Sequence, residues 1–500
     1  MGVILRQSFL NTLYAYAGAV IGFVNIVWLF PYVLDPDEFG LTRVLLSAGI
    51  VASRFAGLGM GNVTLRFFPE FRDPGRHHHG FLFLAIVIPL VGYLLFSALL
   101  YLFRDTVIYF YSSESTLFSE YFLLVFPLTL FILYFHILES YVRSLYDTVA
   151  ATFLQDILLR LLQTTTVLLF LFRMITFEAF MWLFAGTFAL QTLLLLAYVA
   201  WRGQLLTGIR LEKITPERTA RMSRYALFAI LASLAHMAMG NIDMLMIGGM
   251  LSLADTAIYA VAFYLASMIR IPSRSLVKIA SPMIADAMHR QDFKAVHQIY
   301  RKSSINQLLV GGLLYLLVWM NLDHLFRFLP DIYSAGAGVF LLAGLSHLLF
   351  MASGLSSAII QLSEWYRFDF YNTLLKLMLA IGLNLILLPV WGIAGAAFGA
   401  ALTMLIYAGL SVWLVWKRLG MQPFSLKTAL LLATMTAAAM AGWVLPTLPW
   451  WTADLFVRSF FIIAIFVGGW ALFDLSDDFR PLVSKTLDLF RRFLLFGKRE

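Results

Sequence analysis

Residues 81–103 read FLFLAIVIPLVGYLLFSALLYLF, a run of 23 residues that contains no charged side chain. An apolar helix of about 20 residues spans the hydrocarbon core of a bilayer. The run is typical of the chain, because 61% of the 500 residues are hydrophobic, 13% are charged and the mean hydropathy is +0.84. Soluble proteins have about 45–50% apolar and about 25% charged residues. The composition therefore excludes a water-soluble protein and predicts a polytopic membrane protein.

The same length criterion, applied to the whole chain, gives about fourteen apolar spans. They cover residues 9–34, 41–64, 80–103, 120–144, 150–172, 178–201, 222–249, 256–284, 305–328, 336–362, 368–390, 393–416, 426–446 and 455–475. These runs are too long and too uniform for the alternating strands of about 10 residues in membrane barrels. Because backbone groups in lipid must bond within their own segment, we predict an all-α fold with about 14 transmembrane helices.

Lysine and arginine residues are distributed unevenly between the two ends of these spans. With the N-terminus inside, about 25 flanking cations lie on the inner side and about five on the outer side. Flanks rich in lysine and arginine stay cytoplasmic, so we predict that both termini are inside. The net charge of +8 then faces anionic lipid headgroups, and nucleic acid is not needed as a partner.

Several kinds of chemistry are excluded by what the sequence lacks. The chain has no cysteine, which excludes thiolate metal sites and cysteine nucleophiles. It contains no GxxxxGK[ST] motif, so ATP hydrolysis within this chain is not expected. The longest polar stretches are residues 202–224, residues 286–304 and the segment after Asp474. None of these could form a soluble catalytic domain.

A weak internal repeat divides the chain. Residues 32–43, YVLDPDEFGLTR, open the second span, and residues 249–260, GMLSLADTAIYA, open the eighth span about 217 positions later. Six spans separate these acidic turns, so the two halves have the same orientation, as in transporters with parallel repeats. We predict two pseudo-symmetric six-helix lobes, two additional helices and a cytoplasmic amphipathic tail. Their bounds are 1–215, 216–420, 421–476 and 477–500.

Short stretches along the chain resemble the signatures of bacterial polysaccharide-export flippases. They are residues 34–41 (LDPDEFGL), 58–61 (LGMG) with 65–70 (LRFFPE), 241–247 (NIDMLMI) with 258–260 (IYA), and 383–397 (LNLILLPVWGIAGAA). Their order and spacing together resemble the multidrug/oligosaccharidyl-lipid/polysaccharide exporter superfamily, in its Wzx-type O-antigen flippase branch.

The resemblance implies two lobes around a central cavity in the inner membrane of a bacterium. It also implies that the protein moves undecaprenyl-pyrophosphate-linked oligosaccharide from the inner to the outer leaflet by alternating access, in the biosynthesis of lipopolysaccharide. The implied partners are this substrate, membrane lipids, and the polysaccharide polymerase and chain-length machinery. A monomer is expected, with no cofactor other than Na⁺ or H⁺ as a coupling ion.

Cationic residues inside the spans are the candidate substrate-binding site. Arg270, Arg274 and Lys278 are spaced i, i+4, i+8 in the eighth span, which places them on one helix face. Arg54 lies in the second span, and the repeat offset puts it beside position 270. Charges at this depth cost several kcal/mol unless they face water or an anion, and arginine binds phosphate groups bidentately. We predict that these residues and Lys376 line a cationic cavity; ion pairs with buried carboxylates are the alternative.

Three oxygen-bearing residues form a candidate coupling-ion site. Asp243, Asn384 and Thr403 lie in spans seven, eleven and twelve, toward the outer side of the second half. Hard cations such as Na⁺ prefer oxygen ligands, and a buried carboxylate can also carry a proton. Some members of the superfamily have a coupling-ion site in these helices. Interhelical hydrogen bonding is the alternative.

Other polar residues have structural interpretations. Glu139/Arg143 and Asp156/Arg160 are spaced i, i+4 and are expected to form structural ion pairs. Asp369 is an alternative partner for Lys376. The histidines at 77–79 are expected in a solvated loop, since adjacent histidines make a poor metal site. Three single histidines, His136, His236 and His347, are expected to make core or cavity contacts. No metal site is predicted.

Three alternatives to the O-antigen flippase remain. A lipid II flippase-like transporter ranks second, because the arginine-rich N-terminal pattern of those relatives is not obvious here. A multidrug antiporter would need an acidic or apolar cavity for cationic drugs. A polytopic polyprenyl-dependent glycosyltransferase usually needs sizeable outer loops with carboxylates, whereas most outer loops here are under about 15 residues. We therefore predict a transporter and not an enzyme, with no catalytic residues.

Overall fold

The computed structural model describes residues 2–73, 78–112, 116–204, 215–446 and 448–476. Within these ranges every regular element is a helix, and no strand is present. The all-α polytopic fold expected from the apolar spans is confirmed. The chain is a multi-pass membrane protein.

The helices follow one another with short connections. The first eleven are α1 (Gly2–Phe23), α2 (Phe30–Val33), α3 (Pro36–Ala56), α4 (Met60–Phe71), α5 (Phe81–Leu102), α6 (Arg104–Ser112), α7 (Leu117–Tyr121), α8 (Val125–Ser144), α9 (Val149–Phe153), α10 (Leu159–Leu171) and α11 (Phe177–Trp201). The remaining ten are α12 (Pro216–Met250), α13 (Leu253–Met268), α14 (Ile271–His289), α15 (Phe293–Met320), α16 (Leu322–Phe326), α17 (Ala337–Ala352), α18 (Ser356–Leu362), α19 (Tyr366–Leu419), α20 (Leu426–Val444) and α21 (Trp451–Phe473). Two π-helical turns, Val24–Leu29 and Leu154–Leu158, join α1 to α2 and α9 to α10.

The predicted spans have counterparts among these helices. In the described part of the chain, 11 helices are long and apolar enough to cross a membrane, or 12 if α13 and α14 count as one broken span. The 54-residue α19 contains two predicted spans, because Gly392 inside it has φ 57° and ψ −144° and reverses the chain. A Cβ atom at Gly395 would overlap the carbonyl of Leu387, so the two arms pack closely.

The second span is broken, although the sequence predicted one continuous helix. Helix α3 ends at Ala56 and α4 begins at Met60. Between them Leu58 and Gly59 have positive φ angles of 46° and 70°, which an α-helix cannot accommodate. The break follows directly after the turn that carries Arg54.

The eighth span is interrupted at residues 269–270, about five positions before the place that the repeat offset gives. Helix α13 ends at Met268 and α14 begins at Ile271. Pro272 occupies the first turn of α14, and its missing N–H and fixed φ favour a new helix start over continuation of α13. Arg270 is the N-cap residue of α14. Both arginines singled out in the sequence therefore lie beside a helix break.

The two acidic turns of the repeat contact each other. The backbone N–H of Ala254, at the start of α13, donates to Oδ1 of Asp37 in the first turn of α3 at 3.0 Å. These two residues are 217 positions apart, which is the repeat offset. Next to them, a Cβ atom at Gly40 would overlap the carbonyl of Leu253. The lack of a side chain at Gly40 therefore allows α3 and α13 to pack in close contact.

The chain forms two compact units. The first contains Met1–Met268, Phe326–Ala343 and Phe370–Thr403, and the second contains Ile269–Leu325, Gly344–Asp369 and Met404–Glu500. This division follows packing, whereas the lobes predicted above follow the repeat. The domain bounds given in the sequence analysis therefore stay a prediction.

Aromatic side chains fix the helices around the site in the first unit. Phe68 of α4 packs edge-on against Phe81 of α5 and Tyr141 of α8, with ring centroids 5.6 and 5.3 Å apart. All three rings are buried. Aromatic pairs in this geometry contribute about 0.5–1.5 kcal/mol beyond their buried area. Helices α4 and α8 are thereby held together along the cavity described next.

Candidate functional site

Arg54 lines a cavity in the first unit. The cavity has a volume of about 350 Å³ and lies between the end of α3, the start of α4, α8 and the π-helical turn that carries Gln155. Arg54 is half-buried in its wall. π-Helical turns occur frequently at functional sites.

Three residues of α8 continue from Arg54 along the cavity wall. Nη2 of Arg54 lies 3.0 Å from Nε2 of His136. Nδ1 of His136 lies 3.4 Å from Oε2 of Glu139, and Nη2 of Arg143 donates to Oε1 of Glu139 at 3.0 Å. We call these four residues the Arg54 network. All four border the cavity, together with the uncharged side chains of Asn62 and Gln155.

The structure joins residues that were predicted to have separate roles. Arg54 was predicted to bind substrate, Glu139/Arg143 to form a structural ion pair, and His136 to make core or cavity contacts. The Glu139–Arg143 contact is present in the structure, but it lies in the same cavity wall as Arg54. His136 was missed as a site residue, although its position three residues before Glu139 places both on one face of α8.

The other predicted cations lie mainly in the second unit. The guanidinium of Arg270 stacks on the ring of Phe350, 4.0 Å from its centroid. Arg274 and Lys278 are one turn apart on α14 and are exposed. The predicted i, i+4, i+8 stripe is therefore interrupted, because Arg270 precedes the helix that carries the other two.

Lys376 is buried, with 7% of its surface exposed. The carboxylate of Asp369, its alternative partner, accepts hydrogen bonds from Ser357 Oγ at 2.8 Å and Gln361 Nε2 at 2.9 Å. The roles predicted for Lys376, in the cavity or with Asp369, stay predictions.

Two of the three candidate ion-site residues meet in the first unit. Asp243 is 2% exposed, and its Oδ1 accepts a hydrogen bond of 2.7 Å from Nδ2 of Asn384. Its Oδ2 accepts bonds from the hydroxyl of Tyr259 at 2.8 Å and the N–H of Gly240 at 3.3 Å. Thr403 is fully buried, and its hydroxyl forms no hydrogen bond with any described residue. Tyr259 was quoted only as part of the 258–260 signature and was not predicted as a site residue.

Arg160 does not follow the predicted i, i+4 pairing. Its Nη1 donates to the carbonyl of Gly18 and to the hydroxyl of Tyr264, the latter at 3.2 Å, and not to Asp156. Residues 154–158 form a π-helical turn, so the spacing of a regular α-helix does not hold there. Arg160 connects α10 with α1 and α13.

The histidines of the first inner loop were placed wrongly. His78 and His79 are buried and not solvated. Nε2 of His78 lies 2.9 Å from Oε1 of Gln204, and its ring packs against that of Phe68 at a tilt of 54°, with centroids 5.0 Å apart. His77 lies outside the described residues.

A second polar cluster, in the second unit, was not predicted. Oδ2 of Asp454 lies 2.6 Å from Nε2 of His324 and accepts a bond of 2.8 Å from Nε of Arg458. Oδ1 of Asp454 accepts the N–H of Leu448 at 2.9 Å. We call His324, Asp454 and Arg458 the Asp454 network. It joins α16, α21 and the segment between α20 and α21.

Some predicted features lie outside the described residues. They are the amphipathic tail at 477–500 and residues 205–214 of the polar stretch at 202–224. The side chain of His236 is likewise not described.

Comparison with known proteins gives two family matches. The model of the family described as polysaccharide biosynthesis protein matches residues 4–288, more than half of the chain. A second family model, MatE, matches residues 228–386. No curated protein sequence matches the chain.

Solved structures of transporters share the fold. "Lipid II flippase MurJ, inward closed conformation" has a TM-score of 0.70 at 12% identity, covering 95% of this chain and 100% of that chain. An inward-facing multidrug resistance MATE family transporter of the MOP superfamily has a TM-score of 0.62 at 14% identity, covering 84% and 98%. The MATE multidrug transporter DinF-BH in complex with R6G has a TM-score of 0.59 at 14% identity, covering 83% and 95%. The chain therefore shares the fold of these three transporters.

Proposed function

Since the chain belongs to the polysaccharide biosynthesis protein family, we propose that it flips undecaprenyl-pyrophosphate-linked oligosaccharide from the inner to the outer leaflet of the bacterial inner membrane. Flipping proceeds by alternating access of the substrate site to the two leaflets. Arg54 and Arg270 bind the pyrophosphate, and Arg274, Lys278 and Lys376 add positive charge along its path.

One observation carries this proposal: each of two repeat-related spans breaks beside an arginine. Arg54 precedes the break between α3 and α4, and Arg270 lies in the break between α13 and α14. Broken helices with charged residues are found where transporters bind ions and substrates. Arg54 lines a cavity that water can enter. A guanidinium that faces such a space suits a pyrophosphate, which takes two parallel hydrogen bonds from it.

Flipping assays with purified protein in liposomes test the proposal. The transfer of a fluorescent undecaprenyl-pyrophosphate-linked sugar should be abolished in Arg54→Ala and Arg270→Ala, while both variants remain folded. Arg290→Ala, which removes an exposed arginine at the end of α14 and outside the cavity, is the matched control. Normal flipping by both single variants and by their double variant would remove these arginines from the mechanism.

A lipid II flippase is the second candidate, because the MurJ structure has the highest TM-score of the three described above and all of it is covered. Both substrates present a polyprenyl pyrophosphate, so the arginines serve either one. Supplying the two lipids separately in the same liposomes distinguishes them. Faster transfer of lipid II than of the oligosaccharide lipid would replace the first candidate by the second.

We propose Asp243 as the residue that carries the coupling ion, and of the two ions expected, Na⁺ and H⁺, its surroundings favour the proton. Its buried carboxylate accepts three hydrogen bonds, which compensate its charge without an ion. This donor set does not fit Na⁺ as it stands, since the N–H groups of Asn384 point at the carboxylate. A proton needs only one of these donors to be displaced. Asp243→Asn should make flipping independent of an imposed pH gradient; an unchanged dependence would exclude Asp243.

The proposed orientation places both termini in the cytoplasm, as the asymmetry of cationic flanks requires. The chain has no cysteine, so single cysteines can be introduced and labelled without background. Asp37→Cys should react with an impermeant maleimide in intact spheroplasts, and Arg218→Cys only after permeabilisation. Reaction of both residues from the outside would contradict this orientation.

A further inference from the structure

We propose that His136 is a positioning residue that controls whether Arg54 is available to an anion. A neutral His136 holds the Arg54 guanidinium, and a protonated His136 releases it, so binding of the pyrophosphate headgroup takes up one proton. The inference rests on the proposed function, because it assigns the way in which Arg54 is presented to that substrate.

The chemistry of the contact fixes the state of the imidazole. An arginine side chain has only N–H donors. Nε2 of His136, 3.0 Å from Nη2 of Arg54, must therefore be the acceptor and carry no proton. The ring proton is then on Nδ1, where it points at Oε2 of Glu139 at 3.4 Å. Nη2 of Arg143 lies 3.0 Å from Oε1 of Glu139 and holds this carboxylate in place. The position of Glu139 therefore fixes the tautomer of His136.

A proton that arrives from the aqueous side can only add to Nε2. Protonation removes the acceptor of Arg54 and leaves two cations 3.0 Å apart. Their repulsion turns the guanidinium away from α8 and into the cavity. The imidazolium keeps its bond to Glu139 and adds a second positive charge to the same wall. A dianionic headgroup then meets two cations, the guanidinium of Arg54 and the imidazolium of His136. When His136 is neutral, the headgroup meets only the guanidinium, which is already engaged in a hydrogen bond.

The charged groups that face His136 are Arg54 from α3, and Glu139 and Arg143 from α8 itself. Asn62 of α4 and Gln155 of the π-helical turn border the same cavity and are uncharged. One cation and one carboxylate contact the ring directly, so protonation of the ring repels Arg54 and strengthens the bond to Glu139.

Binding of undecaprenyl pyrophosphate to the purified full-length chain tests the inference. The affinity for undecaprenyl pyrophosphate, measured between pH 5.5 and 8.5, should fall about tenfold per pH unit once the pH exceeds the pKa of His136 in the free protein. In His136→Gln, which accepts from Arg54 at every pH, this fall should disappear. The titration of the lipid itself is common to all variants. His289→Gln, an exposed histidine of α14, is the matched control and should follow the native chain.

Two further measurements keep the inference testable if His136→Gln folds poorly. Calorimetry in buffers of different ionisation enthalpy should show uptake of about one proton per lipid bound at pH 7.5 by the native chain. Glu139→Gln, which removes the carboxylate that stabilises the imidazolium, should move the pH dependence to lower pH.

The outcomes separate this inference from the proposed function. If Arg54→Ala binds the lipid as tightly as the native chain, the proposed function fails and the inference fails with it. If Arg54→Ala loses binding while His136→Gln keeps the native pH dependence, only the inference is overturned. Binding by the native chain without proton uptake overturns it as well.

Discussion

The Arg54 network and the Asp454 network each contain an arginine, a histidine and a carboxylate, yet they differ in what the arginine contacts. Arg458 donates to the carboxylate of Asp454 and to the carbonyls of Gly442 and Leu445. Arg54 contacts a ring nitrogen of His136 and not a carboxylate. The carboxylate of Glu139 lies on the other side of the His136 ring.

The comparison distinguishes a closed ion pair from an arginine whose partner borders a cavity. Asp454 and Arg458 are 2% and 12% exposed and form a direct ion pair. The Arg54 network borders a cavity, and the side chain of its last member, Arg143, is 54% exposed. A closed ion pair stabilises the fold, whereas an arginine held by a removable acceptor can exchange its partner.

The largest effect is expected from Asp454→Ala. It leaves Arg458 and His324 without their shared acceptor inside the protein, and breaking a buried pair in this way costs about 3–5 kcal/mol. Thermal unfolding in detergent should show a large decrease in stability. Asp323→Ala, an exposed acidic residue of α16, is the control. Replacing both Asp454 and Arg458 by apolar residues should recover much of the loss; no recovery would mean that the pair is not the cause.

A smaller and purely functional effect is expected from Arg54→Lys. Lysine keeps the charge but loses the planar two-point contact with a phosphate group. Loss of one charge-assisted bond of about 1.5–3 kcal/mol reduces affinity about ten- to a hundredfold. Lipid binding should fall by this amount, while the unfolding temperature changes by only a few degrees. A decrease in stability like that of Asp454→Ala would place Arg54 with the structural charges.

Arg270→Ala should have an intermediate effect on stability. The substitution removes a cation–π contact with Phe350, worth about 0.5–2 kcal/mol. Phe350→Leu removes the same contact and keeps the charge, so both variants should lose similar stability while only Arg270→Ala stops flipping. Equal losses of flipping would assign Arg270 to packing.

The smallest effect is expected from Arg143→Ala. The pair with Glu139 is half open to solvent, and exposed ion pairs contribute about 0–1 kcal/mol. Neither stability nor flipping at neutral pH should change measurably. A loss of flipping comparable to that of Arg54→Ala would extend the substrate site along α8.

The helices could be predicted because the bilayer sets their length and forbids unpaired backbone groups. Residues that disfavour a continuous helix lie at three interruptions. Gly59 and Gly392 have positive φ angles, and Pro272 lies in the first turn of α14, after the break in the eighth span. The π-helical turn at 154–158 had no such signal, and the expected pairing of Asp156 with Arg160 failed there. Backbone register inside an apolar helix depends on neighbouring helices, which the sequence does not show.

The site was predicted in part. Arg54 stood out because a charge in an apolar span needs a reason, and Asn384 and Asp243 were linked by the family resemblance. His136 is 82 residues from Arg54, and His324 is 130 residues from Asp454. Contacts at such separations arise from packing of whole helices and leave no local pattern. The acceptor that defines the state of Arg54 therefore became visible only in the structure.

The contact between Asp37 and Ala254 has a consequence for biosynthesis. The two partners are 217 residues apart, and a ribosome that adds about 5–20 residues per second needs about 10–40 s to make the second after the first. During this interval the surface of α3 at Gly40 lacks the helix that covers it in the complete chain. Nascent chains halted before residue 254 should thus be the form most easily captured by insertion chaperones, and completion of α13 is the step that ends this exposure.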